Sequence, residues 1–151
     1  MSEGIGESPI VIVGGGFAGG NAAATLREEG FAGPVVIVGP EPGVPFGRPP
    51  LSKTYLRSEE DLDGWYVRPA GWYAEHGVDT RRTSVAGIDP AAHTVVLGSG
   101  EEISYQKILI ATGACNRRLG NPGAELPGIH YLRTVAECDA MIAAARQAGV
   151  T

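Results

Sequence analysis

The sequence predicts an α/β fold, in which a parallel sheet carries an antiparallel three-stranded meander. Two stretches predict it. A short apolar run over residues 10–13 leads into a glycine-rich turn and an alanine-rich helix, and a second apolar run follows at residues 35–38. Further along, three β-prone segments follow one another closely, with turn residues between them. The first pattern is typical of a βαβ unit with parallel strands, and the second of a meander.

The glycine-rich turn has the spacing Gly14-x-Gly16-x-x-Gly19, between the first predicted strand and a helix predicted over residues 21–29. This is the setting that the dinucleotide-binding fingerprint of Rossmann-like domains requires. Gly14 would permit the tight turn, Gly16 would let a pyrophosphate approach the backbone, and Gly19 would let the helix lie close to the strand. The helix N-terminus would add unpaired N–H groups for the phosphates. Because glycine turns also occur for purely steric reasons, the spacing alone leaves both interpretations open.

An acidic residue stands where such a site binds ribose. Glu41 follows the second predicted strand, about 20 residues beyond Gly19, which is the usual position of a carboxylate that accepts hydrogen bonds from ribose hydroxyls. The alternative is a solvated loop carboxylate with no ligand. The context of strand, turn, helix and strand favours the ribose interpretation.

After the βαβ unit, irregular segments alternate with short elements. Residues 40–53 are proline-rich and predicted to be irregular, and the polar residues 53–63 are predicted to form a short helix and a loop. A short helix is expected over residues 69–76, followed by a strand over residues 78–81.

The second half of the chain contains the meander and one long helix. The predicted meander strands are residues 85–89, 93–97 and 102–105. The apolar run that begins at Lys107 is predicted to be another buried strand, and it ends at Gly113. The last helix is predicted to begin at Thr134, because Thr134-x-x-Glu137 has the form of a capping box.

Composition and charge exclude several classes of function. The chain has 151 residues, enough for one domain with a core, and its net charge of -5 disfavours a nucleic-acid partner. No apolar run approaches the roughly 18 residues of a membrane helix, and the acidic N-terminus does not resemble a signal peptide, so we expect a cytoplasmic protein. The two cysteines and three histidines lack metal-ligand spacing, and no G-x-S-x-G supports hydrolase chemistry.

Four blocks in order resemble one family of flavoproteins. They are the turn from Gly14 to Gly19, Glu41 followed by Pro-Phe-Gly-Arg-Pro-Pro-Leu-Ser-Lys over residues 45–53, the meander, and Ile-Ala-Thr-Gly over residues 110–113. Together they resemble the FAD-binding half of the ferredoxin-reductase branch of the pyridine-nucleotide flavoproteins. That branch includes putidaredoxin and rubredoxin reductases and apoptosis-inducing factor. The resemblance extends from about residue 10 to residue 144, and Arg-Pro-Pro-Leu-Ser-Lys is its most specific block.

The resemblance implies a set of FAD contacts. The implied contacts are Gly14, Gly16, Phe17, Ala18 and Gly19 at the pyrophosphate, Glu41 at the ribose, Val85 and Ala86 at the adenine, and Arg48, Pro50, Lys53, Ala111, Thr112, Gly113 and Arg117 elsewhere on the cofactor. Lys53 is the candidate catalytic residue, since a fixed cation beside the flavin ring would favour the negative charge of the reduced state. The alternatives are solvated loop cations at Arg48 and Lys53, and simple strand packing at Val85 and Ala86.

The resemblance also implies a reaction. Disulfide reductases of the wider superfamily carry a redox cysteine pair after the second strand, whereas residues 41–53 contain no cysteine. The implied function is therefore transfer of electrons from NAD(P)H through FAD to a ferredoxin or rubredoxin. The alternatives are a non-catalytic FAD- or ADP-binding fragment, one piece of a split flavoprotein and, less favoured, a relative of flavin monooxygenases.

The implied domain organisation has three parts. Residues 1–8 are expected to be a flexible start, residues 9–120 a partial FAD-binding domain, and residues 121–151 a connecting segment and helix that lead towards an NAD(P)H domain absent from this sequence. We therefore expect a fragment that requires further domains to react with NAD(P)H. An uncovered sheet edge would offer a surface for self-association or for a complementing chain.

Overall fold

The computed structural model describes residues 8–41 and 43–149. Its strands are β1 Ile10–Val13, β2 Val35–Gly39, β3 Val78–Arg82, β4 Val85–Asp89, β5 Thr94–Leu97, β6 Glu102–Ser104 and β7 Lys107–Ile110, and its α-helices are α1 Phe17–Glu28, α2 Ala70–Glu75 and α3 Val135–Gln147. The predicted flexible start, apart from Ser8, lies outside the described residues, as do Pro42 and the end of the predicted connecting segment.

The described residues divide into two compact units. The sheet unit comprises those within Met1–Gly47 and Tyr66–Gly113, and the helix unit those within Arg48–Trp65 and Ala114–Thr151. Both units are therefore built from two separate stretches of chain. No α-helix of the described residues is long and apolar enough to cross a membrane.

The sheet unit contains a four-stranded parallel sheet in the order β3-β2-β1-β7 and an antiparallel sheet in the order β4-β5-β6. Valine and isoleucine dominate β1 and β2, which suits central strands that are covered on both faces. On one face Ile12 and Ile37 pack with Ala23 of α1, and on the other face Val11 packs with Val95 of the meander. This arrangement confirms the predicted fold class.

The strand β7 differs from its prediction. It was expected to be buried, but the side chains of Leu109 and Ile110 are 40% and 63% exposed. The reason is its position at the edge of the sheet, where only β1 pairs with it among the described strands. An apolar run therefore identified the strand, whereas its burial depended on the strand order.

Helix α1 begins at Phe17, four residues earlier than predicted. Glycine has a low helix propensity, which is why the sequence favoured a later start. The tertiary structure outweighs that propensity, because Gly19 and Gly20 let the first turn approach its neighbours. A Cβ atom on Gly19 would collide with the Gly14 carbonyl oxygen, and one on Gly20 would collide with Pro45.

Arg27 anchors the C-terminal end of α1 within the sheet unit. Its guanidinium donates hydrogen bonds to four backbone carbonyl oxygens, at 2.6 to 2.9 Å. The acceptors are Phe31, Gly33, His76 and Gly77. One side chain thus joins the end of α1, the approach to β2 and the turn between α2 and β3.

The helix unit contains α3, 3₁₀ turns at Pro49–Ser52 and Asp63–Trp65, and long irregular segments. The predicted capping box is confirmed: the Thr134 hydroxyl accepts a hydrogen bond from the Glu137 N–H, and the Glu137 carboxylate accepts one from the Thr134 N–H. The helix predicted within residues 53–63 is wrong, since turns occupy that segment. Cys138 is buried on α3 and donates to the Leu51 carbonyl at 3.1 Å.

Candidate dinucleotide-binding site

The glycine turn lies at the carboxyl ends of the parallel strands in the sheet unit. Gly14 has a φ of +122°, in the region that favours glycine, and its N–H donates to the Val38 carbonyl at 2.7 Å. A Cβ atom on Gly14 would collide with the Ala111 carbonyl oxygen. A Cβ atom on Gly16 would meet nothing within 4 Å. Gly14 is therefore required by packing, whereas the space in front of Gly16 is open.

The first turn of α1 presents backbone donors beside that open space. Gly16 is the N-cap and supplies no side-chain cap, and no acidic residue stands in the first turn. Phe17 and Ala18 are exposed, and the N–H groups of a first helical turn have no acceptor within the helix. Such a terminus is suited to an anion, because its N–H groups and the helix dipole act in the same direction.

The residues that follow β7 lie next to the glycine turn. The Ala111 N–H donates to the Val13 carbonyl at 2.7 Å, which extends the pairing of β7 with β1 by one residue. Thr112 and Gly113 follow, both exposed, and Gly113 has a φ of +70°. The structure therefore places the predicted residues 111–113 at the carboxyl ends of the parallel strands, where the glycine turn also lies. Glu41, which is half-buried, follows the carboxyl end of β2.

The predicted adenine contacts lie on the meander. Val85 is half-buried and packs against the core cluster that contains Val95 and Leu97. The pairing of β4 with β5 shifts between Val85 and Gly87, so Ala86 is the extra residue of a β-bulge and is exposed. A bulge frees backbone groups from the ladder, which is compatible with a backbone contact to a base. The ligand role of both residues stays a prediction.

The remaining predicted contacts lie in the helix unit. Arg48 is half-buried, and its Nη1 donates to the Arg133 carbonyl at 2.6 Å. Pro50 is buried within the 3₁₀ turn, and the Lys53 N–H donates to the Pro50 carbonyl at 2.9 Å. The side chains of Lys53 and Arg117 are both exposed. Within this unit the structure ties Arg48 to a defined partner and leaves Lys53 and Arg117 at the surface.

Sequence reasoning did not single out two glycines and one hydrogen-bonded pair. A Cβ atom on Gly39 would lie 2.8 Å from the Gly15 nitrogen, and one on Gly20 would collide with the Cβ atom of Pro45. The sequence signals that could have identified them were the Gly19-Gly20 pair and Gly39 at the end of β2. The pair of Asn116 and Glu137, whose side chains are hydrogen-bonded at 2.8 Å, carried no local signal because the two residues are far apart in sequence.

Hydrogen bonding changes the acidity of two groups in the helix unit. Backbone N–H donation, first from Thr134, lowers the pKa of the Glu137 carboxyl, and the Asn116 amide adds to the effect. Burial, together with the hydrogen bond and negative charge of Asp139, raises the pKa of Tyr55 to about 12. Glu137 is therefore held as a carboxylate and Tyr55 as a neutral hydroxyl near neutral pH.

These features define a dinucleotide-binding α/β domain: parallel strands, a glycine turn at their carboxyl ends and a bare helix N-terminus. The sequence profile of the family described as "Pyridine nucleotide-disulphide oxidoreductase" matches residues 8–151. The chain belongs to this family. Ferredoxin reductases of the family use FAD and NAD(P)H.

Curated relatives and solved structures agree with that assignment. The chain is 47% identical over 133 residues to rhodocoxin reductase of Rhodococcus erythropolis, covering 87% of this chain and 31% of the relative. It is 40% identical over 129 residues to rubredoxin-NAD(+) reductase of Pseudomonas putida, covering 85% and 34%. The chain thus spans about a third of the length of the curated relatives it matches.

Two of the solved structures that match the chain are reductases of ferredoxin-type proteins. The ferredoxin reductase for the CYP199A2 system from Rhodopseudomonas palustris matches with a TM-score of 0.85 and 33% identity, over 93% of this chain and 35% of that one. The covalent putidaredoxin reductase–putidaredoxin complex matches with a TM-score of 0.81 and 30% identity, over 91% and 34%. The resemblance to ferredoxin reductases stated from the sequence motifs is confirmed.

Proposed function

We propose that this chain is the FAD-binding portion of an NAD(P)H-dependent reductase that passes electrons through FAD to a ferredoxin or rubredoxin. The observation that carries the proposal is the contrast within the glycine turn. Gly14 and Gly19 are required by packing, whereas a Cβ atom on Gly16, the N-cap of α1, would meet nothing within 4 Å. A purely steric turn does not require glycine at the open position of Gly16, but a pyrophosphate that approaches the backbone does.

The residues of the sheet unit fit the adenosine and pyrophosphate half of FAD. The N–H groups of Phe17, Ala18 and Gly19 would donate to the phosphates, and the positive end of the α1 dipole would favour their charge. The Glu41 carboxylate would accept hydrogen bonds from the ribose hydroxyls. The backbone of Val85 and Ala86 would contact the adenine. Thus every chemical part of ADP has a candidate partner within this unit.

The helix unit would supply cations. Arg48 and Arg117 would interact with cofactor oxygens, Pro50 would hold the Arg48-to-Lys53 segment in shape, and Lys53 would offer a positive charge to the flavin ring. When bound, FAD supplies hydride acceptance followed by single-electron donation. In that chemistry the role of Lys53 is electrostatic: it favours the extra negative charge of the reduced ring.

Flavin retention by the purified chain tests the proposal. FAD is added, excess is removed by gel filtration, and the visible spectrum and the Kd for FAD are measured. We expect a retained flavin spectrum, and we expect Gly16→Ala to weaken FAD binding about tenfold or more, because the methyl group would occupy the space of the phosphates.

Gly64→Ala is the matched control, because a Cβ atom there also meets nothing within 4 Å. Both variants should keep the circular dichroism spectrum of the parent chain and remain folded at the temperature of the binding measurement. Equal FAD affinity of Gly16→Ala and Gly64→Ala would contradict the proposed site, as would a chain that folds but retains no flavin.

A non-catalytic FAD- or ADP-binding module is the second candidate. It is favoured by the sheet unit, whose glycine turn, Glu41 and bulge at Ala86 would be sufficient to bind the ADP part of FAD. Turnover of NADH with an artificial electron acceptor by this chain would refute the binding module, whereas flavin retention without turnover would leave it standing.

The electron acceptor is proposed from the relatives. The rubredoxin reductases are named for their acceptor, and putidaredoxin reductase has been solved in a covalent complex with putidaredoxin. We accordingly propose a small iron–sulfur protein as the acceptor of the complete reductase. A cytoplasmic location and self-association through the edge of the sheet stay predictions.

A further inference from the structure

The Glu137 carboxylate is the centre of a hydrogen-bond network in the helix unit. Its Oε2 accepts from the backbone N–H groups of Arg133 and Thr134, at 2.8 and 3.0 Å. Its Oε1 accepts from Nδ2 of Asn116 at 2.8 Å. A capping box alone needs only one of these three bonds, the one from Thr134. The other two go to groups outside the helix: one to the backbone N–H of Arg133, and one to Asn116 in a long irregular segment.

Both of these additional bonds lead to an arginine that the proposed function assigns to the cofactor. Asn116 directly precedes Arg117, whose side chain is exposed. The Arg133 residue, whose N–H is held by Glu137, accepts the 2.6 Å hydrogen bond from Arg48 Nη1 at its carbonyl oxygen. The Glu137 carboxylate thus fixes the backbone next to Arg117. It also fixes the residue whose carbonyl accepts the hydrogen bond from Arg48.

We propose that Glu137 is a positioning residue for cofactor binding, which acts through Asn116 on Arg117 and through the Arg133 backbone on Arg48. The inference rests on the proposed function, because it concerns how the cations of that site are held. Glu137 itself is not assigned a contact with the cofactor.

The physical reason is conformational entropy. Residues 114–133 contain no helix or strand, so their order depends on individual hydrogen bonds and on packing. If the backbone of this segment were free to move, Arg117 would lose conformational entropy when the cofactor binds, and the affinity would be weaker. Asn116 and Glu137 remove part of the freedom before the ligand arrives. The Arg48 guanidinium is likewise oriented in advance by its bond to the Arg133 carbonyl.

Four variants separate positioning from simple helix capping. Asn116→Ala and Glu137→Ala remove the link to the Arg117 segment. Thr134→Ala removes the hydroxyl that accepts from the Glu137 N–H, but it leaves the three bonds of the carboxylate in place. Glu137→Gln keeps an oxygen for the two backbone N–H groups, and its amide can pair with an Asn116 amide turned by half a rotation.

The measurements are the Kd for FAD by titration and the thermal midpoint of each variant of the full chain. We expect Asn116→Ala and Glu137→Ala to weaken FAD binding about tenfold, as the loss of a charge-assisted hydrogen bond would. We expect Thr134→Ala to lower the thermal midpoint with FAD affinity within about twofold of the parent, and Glu137→Gln to restore most of the affinity lost in Glu137→Ala.

Two outcomes would overturn the inference without contradicting the proposed function. In the first, the parent chain binds FAD and Asn116→Ala binds it equally well. In the second, Thr134→Ala loses as much affinity as Asn116→Ala, which would assign the effect to helix stability. A folded parent chain that binds no FAD would instead refute the proposed function, and this inference with it.

Discussion

The glycine turn of the sheet unit and the start of α3 in the helix unit are held in contrasting ways. At the glycine turn, backbone atoms are packed so closely that Gly14 and Gly19 have no room for a Cβ atom. At the start of α3, side chains that are distant in sequence bond to backbone groups, with Glu137 as the common acceptor. Close packing tolerates almost no substitution, whereas a polar network can lose one bond and keep others. The two regions should therefore respond differently to mutation and to pH.

Gly14→Ala should have the largest effect. The new methyl group would collide with the Ala111 carbonyl, and alanine would be forced to a φ of +122°. We expect a loss of about 3 kcal/mol or more in the free energy of unfolding, measured by urea denaturation. Gly16→Ala is the control, and a smaller loss of about 1 kcal/mol is expected there, because its site is open but alanine is a poorer N-cap than glycine. Equal midpoints for the two variants would show that the turn is not closely packed.

Arg27→Ala should rank second, because it removes a polar contact that lies within the packed unit. Four carbonyl oxygens would lose their donor, and hydrogen bonds to a charged group contribute about 1.5–3 kcal/mol. We expect a loss of about 2–3 kcal/mol by the same measurement. Arg27→Lys should recover only a small part, since an ammonium group cannot reproduce the planar fork. Full recovery with lysine would mean that charge, and not geometry, is what matters.

The third largest effect should be the loss of the Glu137 contribution to the free energy of unfolding at acidic pH. The folded pKa of Glu137 is below its unfolded value, so its contribution is present above about pH 4.3 and is lost as the pH falls through the folded pKa. Since the carboxyl is close to solvent, we expect no more than about 1 kcal/mol. Urea denaturation of the parent chain and Glu137→Gln between neutral and acidic pH checks this. The difference between the two should shrink below about pH 4, and a constant difference would argue against a stabilised carboxylate.

Arg81→Ala should have the smallest effect, although Arg81 has short contacts. Its guanidinium lies 2.6 Å from Asp79 and 2.7 Å from Glu101, but all three side chains are at least 38% exposed. Solvent screens such pairs, so we expect about 0–1 kcal/mol, further reduced in high salt. A salt-insensitive loss above about 2 kcal/mol would indicate that this pair contributes more than a surface ion pair.

Much of the secondary structure could be predicted from the sequence. The strand β1, the core of β2 and the capping box of α3 were located by local patterns, because apolar runs, glycine spacing and cap residues act over a few positions. The start of α1 and the exposure of β7 could not be predicted in this way. The first depends on which groups the glycines approach, and the second on which strand ends at the edge of the sheet.

The same division applies to the candidate site. From residue types and order, the sequence predicted the glycine turn, Glu41 and the Arg48-to-Lys53 block as parts of the site, and their contacts with a cofactor stay predictions. It could not identify the link from Asn116 to Glu137 or from Arg48 to Arg133, since each joins residues separated by at least 21 positions. Polar pairs of this kind have no periodicity and no fixed spacing.

The sequence by itself determined the fold class, the position of the glycine turn and the membership in the pyridine nucleotide-disulphide oxidoreductase family, because these depend on local spacing and ordered motifs. The tertiary structure alone decided which glycine is open, which strand is an edge, and that residues 48–65 and 114–149 form one unit. The physical reason is that steric exclusion, burial and long-range hydrogen bonds are properties of atoms that meet only after the chain has folded.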